Sequence, residues 1–348
     1  MRGPFRPLIV CLLAALLAML LTGVAYAQTQ VSIVGPGESI QRAVNAAERG
    51  DTIVVRGTHH EAVVIRKDGI KLVGQDAVLK SPDRPRTPCF EAAGFCVLGD
   101  VNFQTETVSN YVQDVTITGF TIRGFEGFGI VALGARDAKF VKNRAFDNGE
   151  YGITAFASKG TQVLTNTTSD SGEAGIYIGD SPRANATVAG NNTYGNLFGI
   201  FVRNARGGSI SANHVHNNCV GMMFLADAPG PAGNFKVRAN EVRDNTRSCP
   251  ASEEGPALSG VGIALWGARD MQIQGNAIFD NASSKPSAFH GGVALVRGFG
   301  GTAPKDNLVQ GNTILRNRPD IFWDKSGSGN RFVDNVCRTS EPKRLCGS

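Results

Sequence analysis

The first pattern in the chain that could do chemistry is a His-x-His pair, His214 and His216, because two imidazoles this close can bind one metal ion. The pair stands in the asparagine-rich stretch ISANHVHNNC, residues 210–219. Glu241 would be the third ligand, whereas Arg243 beside His216 would oppose a cation. A plain solvent-facing segment is the alternative, and it is favoured because nothing else in the sequence requires a metal.

The asparagines around this pair belong to an internal repeat. The frame is apolar-x-x-Asn-x-(apolar or small)-x-x-Asn, usually followed by Gly-Ile. Successive copies lie 22 to 36 residues apart, most of them near 23. The first asparagine of the frame occurs at Asn143, Asn166, Asn191, Asn213, Asn240, Asn276, Asn312 and Asn335. Whatever chemistry the chain performs must therefore be positioned by a repeating element.

The repeat is too short for a pair of helices, but it suits a coil of three short strands and three turns. Each coil would add roughly 4.8 Å to a solenoid, so about ten coils would span roughly 50 Å. The sharp corners need left-handed or bridge backbone, which asparagine tolerates. Inward amides would have to form a continuous hydrogen-bonded ladder, because a buried amide without partners is costly.

The N-terminus indicates export. Arg2 and Arg6 precede an apolar run, residues 8–21, and the sequence Ala25-Tyr26-Ala27 is typical of a cleavage site. Residues 1–27 are therefore predicted to be a signal peptide, with a retained anchor as the alternative. Cleavage would lower the net charge from +5 to about +3, too small an excess to indicate nucleic acid binding. The predicted location is secreted or periplasmic, without membrane association after cleavage.

Six cysteines remain after the signal peptide, an even number that predicts disulfides in an exported chain. Chain order favours pairs that each close one local loop. None of these cysteines shows the C-x-x-C spacing of a zinc or redox site. The favoured pairs are Cys89–Cys96, Cys219–Cys249 and Cys337–Cys346.

The N-terminal stretch GPGESIQRAVNAAERGDTIVVRGTHHEAVVI, together with the repeats, resembles the right-handed parallel β-helix (pectin lyase-like) superfamily, including NosD-like exported proteins with PbH1 repeats. The resemblance covers roughly Val31 to Cys337. It implies an all-β fold: one right-handed parallel β-helix domain over residues 28–348, with a capping helix at 38–49 and a tail at 338–348. Ile40, Ala43, Val44 and Ala47 share one helical face, which agrees with a cap. Members of this superfamily differ in function, so the fold alone specifies none.

Strand alternation predicts which side chains point outward from the strand after each Gly-Ile. The outward residues form two apolar columns, too apolar for a free surface. The first column is Val131, Thr154, Tyr177, Phe201, Met223, Ala264, Ala294 and Phe322. The second is Leu133, Phe156, Gly179, Arg203, Leu225, Trp266, Val296 and Asp324. Insertions at 228–233, 246–260, 282–290 and 298–306 flank this face. The face is therefore a ligand groove, a surface buried under these loops, or a contact for a protein partner.

If the face is a groove, aromatic rings with nearby cations favour a negatively charged sugar chain. The residues predicted to bind it are Phe156, Phe201, Trp266, Arg297 and Asp324. A lyase or epimerase of the resembled superfamily would remove the proton α to a uronate carboxylate, which needs a cation and an acid/base pair. Arg203 is the predicted cation, and Tyr177 and His290 are the predicted acid/base residues.

The leading hypothesis is therefore an exported β-helix that binds an acidic polysaccharide, with cleavage or epimerisation left open. The alternative is a non-catalytic periplasmic or surface protein, either a NosD-like accessory factor or an adhesive solenoid. An enzyme would be a lyase, an epimerase or a glycoside hydrolase. No resident metal or cofactor is predicted, and calcium stays open as an alternative without a clear site. The sequence lacks the aspartate cluster of the calcium site in many pectate lyases and the Asp-Pro-His motif of alginate epimerases. A polysaccharide is the predicted partner, and the oligomeric state is left open.

Overall fold

The computed structural model describes residues 29–83, 89, 92–102, 104–105, 107–227, 232–252 and 255–346. The predicted signal peptide lies outside these residues. Nearly all described strands join one large, almost entirely parallel sheet system that winds into a solenoid. The predicted all-β parallel β-helix is confirmed. Within the described part of the chain, no helix is long and apolar enough to cross a membrane.

Each coil contributes strands to three stacked sheets, and the longest strands continue from one sheet into the next. The front sheet contains Val63–Ile65, Ala93–Leu98, Phe128–Leu133, Tyr151–Phe156, Ala174–Ser181, the start of Phe198–Ser211, Val220–Leu225, Val261–Trp266, Gly291–Val296, Ile321–Trp323 and Ser340–Glu341. The second sheet contains Val31–Val34, the first parts of Thr52–His60, Lys71–Lys80 and Thr116–Arg123, then Lys139–Val141, Gln162–Leu164, Ala186–Ala189, the end of Phe198–Ser211, Gly233–Arg238, Gln272–Gln274, Leu308–Gln310 and Arg331–Val333. The third sheet contains the last parts of the same three long strands, then Arg144–Phe146, Thr167–Ser169, Asn192–Tyr194, His214–His216, Glu241–Arg243, Ala277–Phe279 and Thr313–Leu315.

Few elements lie outside these sheets. The helix Ile40–Ala46 falls inside the predicted range 38–49 and begins after Ser39, whose side chain accepts a hydrogen bond from the Arg42 amide. Its buried Ile40 and Val44 pack on the first coil of the solenoid. Three short features remain among the described residues: the antiparallel hairpin Asp100–Asn102 with Thr107–Asn110, the parallel pair Val112–Gln113 with Ala135–Arg136, and the 3-10 turn Phe299–Gly301. In the predicted tail, Ser340–Glu341 adds the last strand of the front sheet.

A ladder of buried asparagines holds the corner between the second and third sheets. All eight asparagines of the repeat frame stack there, each nearly inaccessible to solvent. Asn213 shows the pattern: its Oδ1 accepts hydrogen bonds from the backbone amide and Nδ2 of Asn191, and its Nδ2 donates to Val188 O and to Asn240 Oδ1. Each amide therefore satisfies the coils on both sides of it, as a buried polar group must.

The left-handed backbone at this corner belongs to the residue before each asparagine, so the expectation that the ladder asparagines take it is wrong. Positive φ is found at Lys142, Thr165, Ala212 and Ala239, just ahead of the ladder. The asparagine itself needs ordinary backbone geometry, because its side chain must point inward along the solenoid axis. The turn is therefore made by one residue and stabilised by the next.

A second ladder occupies the corner between the third and front sheets, where the frame places its second polar residue. From Ser171 onward, backbone amides donate to the next side chain, and the series ends on the buried carboxylate of Asp320. Ser171 interrupts the ladder, because its hydroxyl is too short to reach Asn148. The Asn148 Nδ2 and Ser171 Oγ atoms are buried without a hydrogen-bond partner.

Three disulfides join Cys89 to Cys96, Cys219 to Cys249 and Cys337 to Cys346. These are the pairs that chain order favours. Cys219 directly follows Asn218 of the second ladder, and Cys249 lies in the insertion at 246–260. The bridge therefore ties that insertion to the solenoid beside the front sheet.

Candidate functional site

The outer face of the front sheet carries the two predicted columns in register. Parallel pairing aligns Val131, Thr154, Tyr177, Phe201, Met223, Ala264, Ala294 and Phe322 across successive coils. Phe156, Gly179, Arg203 and Leu225 follow one another in the second column, and Trp266 pairs with Val296 further along. The alternation of the strands thus projects these side chains away from the main core.

This face is a second hydrophobic core rather than an open groove. Tyr177, Phe201 and Trp266 are only 1%, 4% and 8% exposed. In the middle coils the aromatic rings cover one another: Tyr151 stacks on Tyr177 at 4.6 Å, and Phe156 lies 4.9 Å from Tyr177. Of the alternatives that the sequence leaves open, burial is the one observed for these three side chains.

The insertions supply part of the cover. Leu258 and Phe289, from two of the predicted insertions, are buried against this face. Phe289 meets Trp266 edge-on at 5.1 Å, and Phe299 lies 4.4 Å from the same indole. Residues 228–231 and 253–254, which belong to the insertions, lie outside the described residues. The loops therefore cover the C-terminal coils. On the middle coils the aromatic side chains cover one another, and the edge of this cluster, its rim, lies at the surface.

The predicted site residues divide into two clusters along this face. The middle cluster contains Phe156, Tyr177, Phe201 and Arg203, and the C-terminal cluster contains Trp266, His290, Arg297 and Asp324. His290 is exposed and lies near Phe322, with ring centroids 5.8 Å apart. By strand register its coil is three coils beyond that of Arg203, roughly 14 Å along the solenoid. The structure therefore brings Arg203 and Tyr177 together but not His290.

The polar groups of the C-terminal cluster build a loop. Asp324 accepts hydrogen bonds from the amides of Arg297 and Ser326 and from the Ser326 hydroxyl. Trp266 Nε1 donates to Arg297 O, and Arg297 Nη1 donates to Gly301 O. These bonds hold the turn that carries Phe299. The Asp324 carboxylate and the Trp266 indole N–H therefore already have hydrogen-bond partners within the protein.

Arg203 is the cation at the rim of the middle cluster. Its Nε and Nη2 donate to one oxygen of Asp227 at 3.0 and 2.7 Å, and 43% of its side chain remains exposed. Hydrogen bonding to Asp227 raises the pKa of Arg203, so the guanidinium stays charged. Asp227 uses two of the five N–H donors, which leaves three for Tyr177 and a second partner. A planar donor set of this kind suits a carboxylate.

Tyr177 lies beneath this cation, with its hydroxyl facing the guanidinium. Its ring folds over Gly179: a Cβ added there would lie 2.1 Å from Tyr177 Cε1 and 2.2 Å from its hydroxyl oxygen. Burial raises the pKa of the phenol well above its ordinary value, and the charge of Asp180 raises it further, while Arg203 opposes both effects. The phenol is therefore protonated at neutral pH and can donate a hydrogen bond, but it is a poor base.

A tyrosine–carboxylate pair at the opposite edge of the middle cluster was not singled out from the sequence. The Tyr151 hydroxyl donates to Glu173 Oε2 at 2.5 Å. Burial raises the pKa of Tyr151, and the charge of Glu173 adds to the effect. Glu150 and Glu173 occupy the same position before Gly-Ile strands, in NGEYGI and SGEAGI. This repeated glutamate is the sequence signal that could have indicated the pair.

The histidine pair lies on the third sheet, away from these clusters. His216 stacks on Tyr194 at 5.2 Å, and its Nε2 lies 3.1 Å from Asn192 Oδ1. Glu241, the proposed third ligand, accepts a hydrogen bond from Arg243 Nε at 2.7 Å. Burial lowers the pKa of His216, and the charge of Arg243 adds to this. Among the described residues no cluster of three potential metal ligands is present.

Comparison with known proteins gives a family and a fold. A family model described as right handed beta helix region matches residues 52–220, 157–258 and 199–341. The A-module of mannuronan C-5 epimerase AlgE4 from Azotobacter vinelandii is 17% identical, with a TM-score of 0.63 and coverage of 86% of this chain and 89% of that chain. A search of curated proteins gave no significant match.

Two further solved structures have the same architecture. The Dettilon tailspike protein is 14% identical, with a TM-score of 0.58 and coverage of 89% of this chain and 68% of that one. PfbA, a surface adhesin of Streptococcus pneumoniae, is 12% identical, with a TM-score of 0.53 and coverage of 86% and 87%. At these identities the likeness concerns the fold alone, and it includes both an enzyme and an adhesin.

Proposed function

The chain belongs to the right-handed β-helix family, whose model matches it from residue 52 to residue 341, and on that premise we propose that the protein is exported and binds an acidic polysaccharide. The ligand would lie along the rim of the middle cluster on the front sheet. Three disulfides suit an oxidising compartment outside the cytoplasm. A related fold serves the mannuronan C-5 epimerase, whose name gives a polysaccharide as its substrate.

The observation that carries this proposal is the exposed guanidinium of Arg203 beside an aromatic cluster. Asp227 holds it in a fixed orientation and leaves donors for a ligand carboxylate. Phe156, two coils away in the same column and partly exposed, offers apolar surface on which a sugar ring can pack. A carboxylated sugar chain presents both features, a flat apolar ring face and a charge on each unit.

The buried, protonated state of Tyr177 supports binding more than it supports proton abstraction. A lyase or epimerase needs a base that reaches the sugar proton. Tyr177 is covered by its neighbours, and His290 lies three coils from Arg203. We therefore propose that Arg203 binds the carboxylate and that Tyr177 positions the guanidinium from below. These roles suit the non-catalytic alternative better than a lyase.

The test is a binding titration of the mature protein with polygalacturonate and alginate fragments. Matched controls are the methyl-esterified fragments, which keep the sugar and lose the charge, and a neutral glucan. Saturable binding of the acidic fragments alone would support the proposal, whereas equal binding of the esterified fragments would overturn it. The same mixtures, followed by ultraviolet absorbance of an unsaturated product and by NMR of the sugar stereochemistry, test for turnover.

A further inference from the structure

A column of basic residues follows the corner between the front and second sheets. Parallel bridges place Arg136 beside Lys159, Arg206 beside Gly233, and Gly233 and Lys305 on either side of Arg269. Neighbouring positions in such a column are roughly 4.8 Å apart. Basic residues therefore occupy five positions of this column, and Ala184 and Gly233 interrupt it.

The N-terminal part of this column is not neutralised. Arg136 and Lys159 both lie over the ring of Tyr111, at 5.0 and 4.5 Å from its centroid. On the next coil the column position is taken by the buried Ala184, and Arg183, the residue before it, is exposed. Within the described part of the chain, none of these three cations forms an ion pair with a carboxylate. Like charges held this close repel, and a bound anion would relieve the repulsion.

Asp137, Asp270 and Asp306 of this corner make other contacts. The charge of Asp180, three residues before Arg183, acts on Tyr177 and Arg203. Asp137 Oδ1 lies against the next coil, 2.2 Å from where a Cβ on Gly160 would be, so its side chain is part of the corner packing. Further along, Asp270 pairs with Arg206, and Asp306 lies 3.8 Å from Lys305. Arg206 and Lys305 therefore have carboxylate partners, whereas Arg269 between them forms no ion pair among the described residues.

The three coils of the N-terminal part precede the coil of Arg203, which lies on the front sheet three residues before the corner position Arg206. Strand register places Tyr151–Phe156, Ala174–Ser181 and the start of Phe198–Ser211 on successive coils. Arg136, Lys159, Arg183 and Arg203 therefore supply one cation each on four consecutive coils. The series spans three rises, roughly 14 Å.

We propose that Arg136, Lys159 and Arg183 form a track that extends the Arg203 site toward the N-terminus and binds successive carboxylates of one polyuronate chain. This inference rests on the proposed function, because Arg203 is the end of the track. Each carboxylate contacts one cation as the sugar chain crosses the coils obliquely, from the corner to the front sheet. A ligand shorter than about four acidic units cannot occupy the whole series, given the coil spacing of roughly 4.8 Å.

The experiment compares two triple variants that remove equal charge. Arg136→Gln/Lys159→Gln/Arg183→Gln alters the track, and Lys139→Gln/Lys236→Gln/Arg331→Gln removes three exposed cations of the second sheet. Three exposed ionic contacts, at about 0.5 kcal/mol each, predict roughly tenfold weaker binding of a long polyuronate by the track variant. The dependence of log affinity on log salt should also become shallower for that variant only. Binding of a two-unit fragment should change little in either variant.

Equal losses in the two triple variants would overturn the track, as would equal binding of a single-stranded DNA of similar charge. The Arg203→Gln/Asp227→Asn variant distinguishes this failure from failure of the proposed function. If that variant loses both long and short ligands while the track variant matches its control, only the track is wrong. If the unaltered protein binds no polyuronate, both proposals are wrong.

Discussion

The interior corner of the solenoid and the outer face of the front sheet both stack one side chain per coil, but they obey different rules. At the corner the residue is asparagine in eight coils, because each buried amide must satisfy the coil before it and the coil after it. On the outer face, Thr154, Tyr177 and Phe201 follow one another, because close packing needs apolar volume and not one particular group. A residue type that repeats from coil to coil therefore indicates a structural role. Positions whose residue type varies between coils can acquire a function.

The ladder should be the more fragile of the two regions. Asn213→Ala removes the acceptor for Asn191 and leaves Val188 O and Asn240 Oδ1 each without one donor. We expect a loss of roughly 4 kcal/mol in the free energy of unfolding, because several buried polar groups lose partners at once. Urea unfolding followed by circular dichroism measures it.

Asn192→Ala is the matched control, since Asn192 follows the ladder residue Asn191 of the preceding coil and faces outward on the third sheet. It should cost less than about 1 kcal/mol, as expected for a partly exposed hydrogen bond. Similar losses for the two variants would contradict a special role for the ladder.

One position of the outer face, Gly179, should tolerate substitution poorly, although residue types vary along the rest of that face. Gly179→Ala places a Cβ within 2.3 Å of three Tyr177 atoms, so the phenol must leave its position. We expect about 2 kcal/mol of destabilisation, typical of overpacking, together with greater solvent access of a tyrosine. Unfolding curves and tyrosine fluorescence quenching report these two effects.

Gly255→Ala provides the comparison, because a Cβ there meets nothing within 4 Å. That variant should be close to neutral. If Gly179→Ala were equally neutral, the close packing of Tyr177 against the sheet would be wrong.

The break in the second ladder gives the smallest effect and the opposite sign. Ser171→Asn supplies an amide that can accept from Asn148, whose Nδ2 is buried without a partner. We expect stabilisation of about 1 kcal/mol, the usual net gain from one buried hydrogen bond. Ser171→Ala, which lacks the amide, should not stabilise the protein. A destabilised Ser171→Asn variant would mean that the gap has no room for the side chain.

The sequence predicted the parts of the fold that repetition controls. The strand register of the outer columns and the stacking of the asparagines follow from spacing alone. Two features do not follow from spacing. The left-handed residue at the corner varies from Lys142 to Ala239, so no single residue type signals it. The burial of Trp266 depends on Phe289 and Phe299, which come from insertions with no repeat to align them.

The candidate site was predictable only in part for the same reason. Arg203 and Tyr177 occupy aligned strands, so their proximity could be read from the register. The ring of Tyr177 lies over Gly179, which has no side chain to block it. The burial of Tyr177 depends on this rotamer, which the strand register does not specify. The sequence pattern groups His290 with them because it lies on a loop that flanks the same face. The strand register across the two long insertions places it three coils from Arg203.

The most direct test of the central claim is the affinity of one acidic oligosaccharide for the Arg203→Gln/Asp227→Asn variant, measured by calorimetric titration. Replacing both partners avoids leaving Asp227 half-buried without its cation. Arg297→Gln, on the same face in the C-terminal cluster, is the matched control. We predict that the double variant loses at least about tenfold in affinity, equal to 1.4 kcal/mol, while Arg297→Gln binds like the unaltered protein. Unchanged affinity in the double variant, or an equal loss in both, would contradict it.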